Sequence, residues 1–191
     1  TREEASLYRI CAFSTIIASI VMFPRALIEV AVVNRALLPV VAVPLGAMTV
    51  VGVIVAGIVY WRSMAADLDT GTEIRNPFRL RPALFFGVVF AVVLLVSEFA
   101  HASLGESGIY ATAFVSGLAD VDAITLTLST LAADGTISAN VAATGIVIGA
   151  IANTVMKAGI VWILGTRQLG QVVAAVLGVV SAVGLLFALA V

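Results

Sequence analysis

The chain has 191 residues and a formal net charge of −1; 62% of its residues are hydrophobic and 11% charged. Soluble domains carry roughly 45–50% apolar and about 25% charged residues, and a core of this size could not hide the surplus, so the composition is that of an integral membrane protein. Near-neutrality excludes a basic surface for nucleic acid. The single Cys11 excludes an internal disulfide or a cysteine metal site, and the single His101 excludes HExxH.

Apolar stretches long enough to cross about 30 Å of hydrocarbon predict six transmembrane helices in an all-α fold. The first runs over Ser6–Val33 and carries Arg25 and Glu29; the second, Leu37–Trp61, is uncharged. The third is Pro82–Ser103 with Glu98 near its end. The fourth is Ile109–Leu131 with Asp120 and Asp122 near its middle. The fifth, Ser138–Leu164, holds Lys157, and the sixth is Leu169–Val191.

The one long polar connection, Arg62–Arg81, lies between the second and third helices, and the six fall into two blocks of three. Gly87–Leu95 resembles Gly178–Leu186, and Ala56-Gly57-Ile58-Val59 resembles Ala158-Gly159-Ile160-Val161. Tandem three-helix units would face opposite ways. The expected organisation is therefore one transmembrane domain over 1–191, as inverted repeats (1–66, loop 67–81 and helix 82–103; then 104–191) or with only chance likeness among apolar strings. With six spans, Arg2, Arg9, Arg62, Arg75, Arg79 and Arg81 fall on one side against Arg35 and Arg167 on the other. The positive-inside rule then puts both termini in the cytoplasm, in a bacterial or archaeal plasma membrane (a cell inner membrane). The chain starts at Thr1 with no leader and cleavage site, and is read as a fragment with sequence missing upstream.

Ionisable groups inside a bilayer cost roughly 2.5–3.5 kcal/mol each at a helix centre, and their retention points to a partner or a task. The set is Arg25, Glu29, Glu98, Asp120, Asp122 and Lys157, four acids against two bases. Arg25 and Glu29, four apart, can pair beside the kink that Pro24 invites, or wall a gate. Asp120 and Asp122 point about 200° apart in a regular helix. If the helix is interrupted near Gly117, both could line one cavity. Thr125 and Ser129 continue the Asp122 face with hydroxyls, and Thr127 the Asp120 face. Lys157, one turn beyond Asn153, either snorkels outward or is the counter-ion of the aspartates. Glu98 and His101 are an entrance ring or simply wet.

Arg25-Ala26-Leu27-Ile28-Glu29 through Asn34, Asn76-Pro77-Phe78 with Pro82-Ala83-Leu84, Gly117-Leu118-Ala119-Asp120-Val121-Asp122-Ala123-Ile124-Thr125 and Ala152-Asn153-Thr154-Val155-Met156-Lys157 occur in that order. This arrangement resembles the membrane domain in the C-terminal half of long MgtC/SapB family proteins. The resemblance covers nearly the whole chain and lacks the family's N-terminal MgtC-like half. It implies a membrane domain of unknown function in a family associated with magnesium.

Two functions are therefore expected. One is transport of a small cation, Mg²⁺ or another divalent ion among them, with proton coupling open. Asp120 and Asp122 would be the metal ligands, Thr125 and Asn153 would add neutral oxygens, and Lys157 would balance the empty site. The other is a regulatory or interaction module, with the bilayer, a second copy of the chain or the missing half as partner. No nucleophile–base pair, phosphate loop or hydrolase spacing occurs, so neither an enzyme nor a resident cofactor is expected.

Overall fold

The computed structural model describes residues 2–64 and 107–188, all helical apart from their connections. Helix α1 is Arg2–Val33, α2 Leu38–Met64, α3 Ser107–Ala119, α4 Val121–Ala133, α5 Ala139–Leu164 and α6 Arg167–Ala188. The predicted span Pro82–Ser103, the Asp67–Arg81 part of the long loop, Glu98 and His101 lie outside the described residues.

Local chemistry sets the ends of these helices. The Asn34 side-chain carbonyl accepts from Leu37 N–H at 3.3 Å in the α1–α2 turn. Gly135, at φ +71, takes the left-handed conformation that an L side chain disfavours, and so stops α4. Ser138 then caps α5, its hydroxyl accepting from Val141 N–H at 3.2 Å. Thr166 caps α6 in the same way through Leu169 N–H.

Four helices, α1, α2, α5 and α6, are long and apolar enough to cross a membrane. Their outward residues are apolar: Val32 is 80% exposed, Leu164 81% and Leu186 68%. Water would penalise that surface and lipid does not. The protein is an integral membrane protein.

Two apolar clusters fix the direction of each helix. One joins Ala12, Ile16 and Ile20 of α1 to Ala56, Val173, Val176 and Leu177, with Ala158 and Val161 against it. The other joins Val30 of α1 to Val41, Leu45, Met48, Ala142, Ile146 and Val180, with Ala188 against it. Helices α1 and α6 therefore run from the first cluster to the second, and α2 and α5 run back. Tyr60, Trp61 and Trp162, all exposed, ring the end at the first cluster, the depth at which amphipathic rings settle at a bilayer surface.

This geometry revises two sequence expectations. The start of α1 and the end of α6 lie at opposite ends of the bundle, where six spans would put them together. Helices α2 and α5 run in the same direction, where inverted repeats require opposed ones. The cause is the fourth predicted span, Ile109–Leu131, which does not cross. A methyl group on Gly145 of α5 would meet both Leu128 Cδ1, at 2.6 Å, and Ala113 Cβ, at 3.8 Å. Those two residues would stand about 22 Å apart along one straight helix. Instead α3 and α4 fold back on each other at Asp120 as a helical hairpin that enters and leaves at the Asn34 end. It docks on α5 through Gly117, where a Cβ would come within 2.6 Å of Gly149 Cα, so only glycine permits that approach.

Candidate functional site

The hairpin tip is built by its own sequence. Asp120 N–H still bonds to Ser116 C=O at 2.8 Å, closing the last turn of α3. Its backbone then extends to φ −152, ψ 128, and its carboxylate accepts from Asp122 N–H at 3.1 Å as the N-cap of α4. Such a tip leaves carbonyls of α3 without helical partners. Asn153 of α5 answers one, its amide donating to Gly117 C=O at 3.0 Å. Asn153 stands nine residues before Trp162, about 14 Å along the axis, close to half of a roughly 30 Å hydrocarbon core. The tip therefore sits near mid-membrane, a depth where irregular backbone survives only inside protein or against a wet cavity.

A cavity of about 230 Å³ lies beyond the tip, lined by Ala18, Val21, Met22 and Arg25 of α1, Ala119–Val121 of the tip, and Asn153 and Lys157 of α5. It holds two cationic groups and one carboxylate. Arg25 is 56% exposed there and bonds both carboxylate oxygens of Asp122; its Nε is also 3.8 Å from Glu29. Lys157 has no carboxylate within ion-pair distance among the described residues; its Nζ lies 3.7 Å from Met22 Sδ. The Asn153 amide oxygen is buried with no hydrogen-bond partner among the described residues.

Of the residues singled out in the sequence, Asp120, Asn153, Lys157 and Arg25 line this one cavity. Asp122 does not line it and turns to Arg25, a partner that spacing could not reveal because the two are 97 residues apart. Thr125 and Ser129 are fully buried lower on the same face of α4, their hydroxyl oxygens unpartnered among the described residues. Thr127 is exposed and bonds back to Ala123 C=O at 2.8 Å, apart from them. The apolar wall, Ala18, Val21 and Met22, carried no signal in the sequence, since such residues fill every span. No group of three or more His, Cys, Asp and Glu side chains converges among the described residues.

A family of domains of unknown function, DUF4010, matches residues 1–165. The chain belongs to the DUF4010 family. An uncharacterized protein of Aquifex aeolicus (strain VF5) is 29% identical over 170 residues, 88% of this chain and 74% of that relative. No solved structure matches the chain. The match to the DUF4010 domain spans the hairpin, Arg25, Asn153 and Lys157, so the whole cavity lies within it.

Proposed function

We propose that this DUF4010 domain translocates a small cation, and that the cavity at the hairpin tip is its binding site. The observation that carries this reading is a polar cavity of about 230 Å³ at the mid-membrane turn of a broken helical element. Broken helices in transporters place half-helix ends at their ions in this manner. Asp120 supplies the carboxylate and Asn153 a buried amide oxygen with no hydrogen-bond partner among the described residues. Lys157 acts as the resident positive charge: its ammonium shares the cavity with Asp120 without pairing to it, and gives way as the cargo arrives. Asp122 becomes a second ligand when Arg25 releases it. A hydrated divalent ion falls within this class, because Mg²⁺ keeps several waters and takes one or two carboxylates.

Arg2, Arg9, Arg62 and Arg167 stand at the aromatic-ringed end of the bundle and Arg35 at the other. That bias supports a cytoplasmic start of α1. The cavity then faces the cytoplasm, and the hairpin is inserted from outside. The resemblance to MgtC/SapB membrane domains is compatible with either a transport or a regulatory role.

The test is flux of mono- and divalent metal cations in proteoliposomes, wild type against Asp120→Asn/Asp122→Asn. Cation flux that vanishes in the variant supports the reading. Wild-type vesicles tight to every cation tried, with the protein folded, refute it. One observation favours the regulatory alternative in that event: both aspartates already have structural work, Asp120 as a helix cap and Asp122 as the partner of Arg25.

A further inference from the structure

The cavity explains the polar groups above the hairpin tip but not those below it. Between the tip and the Asn34 end, α1 and α4 run side by side in the same direction. They are pinned at two levels, Arg25 to Asp122 and the Asn34 amide to Ser129 C=O at 3.3 Å. Three oxygens lie along this seam, buried and without a hydrogen-bond partner among the described residues: Glu29 Oε2, Thr125 Oγ1 and Ser129 Oγ. Thr125 and Ser129 are each fully buried and follow Asp122 by three and seven residues, so they share its α1-facing side. Glu29 sits one turn beyond Arg25 and faces Asp122 across the seam.

Packing alone gives no reason for this composition. Thr130 sends its hydroxyl back to the Leu126 carbonyl at 2.9 Å, the ordinary way a helical threonine satisfies itself. Thr125 and Ser129 do not. Valine and alanine would fill their places without an unmet hydrogen bond. Buried oxygens without protein partners on two adjoining helices, with a carboxyl among them, are what a file of water needs for its own hydrogen bonds.

We propose that the α1–α4 seam is a proton-conducting water track, joining the cavity at the hairpin tip to the opposite membrane face at Asn34. Glu29 is its proton-carrying carboxyl, and the Arg25–Asp122 pair is the barrier between track and cavity. Among the described residues, the charged groups facing Glu29 are Arg25 on its own helix and Asp120 and Asp122 at the tip. A proton taken up by Glu29 removes one negative charge beside Arg25, strengthening the hold of Arg25 on Asp122; its loss to the track reverses this. The inference rests on the transport reading for its purpose, since the track is the coupling route for cargo in the cavity. Its physical content, water at three named side chains, is independent.

The experiment has two arms on the full chain in liposomes. Water-edited solid-state NMR, in which polarisation passes from mobile water to nearby side chains, reads Thr125, Ser129 and Glu29. Rapid transfer to all three is expected; transfer as slow as at the buried Leu128 overturns the track. Proton conduction, followed with an enclosed pH dye, is expected to fall roughly a hundredfold in Glu29→Gln, the scale of a positioned proton-transfer group. Glu29→Asp should recover part of it, and the isosteric Thr125→Val should reduce conduction while leaving the fold intact. Conduction unchanged in Glu29→Gln overturns the role of Glu29. Cation flux in the same vesicles separates the two ideas. Proton conduction without cation flux keeps the track and sinks the transport reading. Cation flux with a dry seam does the reverse.

Discussion

Helix α2 and the α3–α4 hairpin are close to a controlled comparison. Each occupies 27 positions, Leu38–Met64 and Ser107–Ala133, and both are strongly apolar. One crosses the bundle and the other turns back at its middle. Helix α2 even contains Pro44, a stronger helix breaker than anything in the hairpin, yet it continues through it. Proline removes one backbone bond and bends the axis without reversing it. Asp120 ends one helix and caps the next, satisfying one freed N–H of α4, while Asn153 takes one freed carbonyl of α3. A turn inside a membrane thus depends less on breaking a helix than on satisfying the two ends that the break creates.

The largest effect should come from testing the direction of the hairpin. With Cys11 replaced, single cysteines at Ala36 and Gly135 should react with an impermeant thiol reagent from the same side, and one at Thr166 only from the other. Labelling of 36 and 135 from opposite sides would make α3–α4 a true span and erase the comparison. Next in size is Gly117→Val. The added carbons would meet Gly149 backbone, which cannot swing away, and a loss of about 3 kcal/mol or more is expected on thermal unfolding in detergent. Gly57, whose surroundings on α2 are open, should accept alanine with little change. Replacement of Asn153 by leucine strands the Gly117 carbonyl and should cost about 1–3 kcal/mol. The smallest expected change is Asp120→Asn, since asparagine caps as well as aspartate and stability should hold to within a few tenths of a kcal/mol. Cation flux should nevertheless fall in Asp120→Asn, separating the carboxylate's charge from its capping role.

Several of these features were legible beforehand. The apolar runs located α1, α2, α5 and α6, because a length of uninterrupted hydrophobicity is sufficient for a span. The cost of ionisable groups in hydrocarbon singled out Arg25, Asp120 and Lys157, and Gly117 marked where a break could fall. Hydropathy could not tell two short helices from one long one, since their sums are equal. The salt-bridge partner was also out of reach. Spacing offers Arg25 only Glu29, whereas the fold brings Asp122 from 97 residues away.

By itself the sequence determined the solvent. With 62% hydrophobic and 11% charged residues, no water-soluble packing exists for this chain, and every helix must hold its own backbone bonds. Only the tertiary structure decided the topology. Whether Asp120 caps a turn or rides through a span depends on what stands across from it, here Gly149 close enough to admit Gly117 and Asn153 placed to take its carbonyl. Those contacts come from α5, some 30 residues further along the chain, and local propensity carries no record of them.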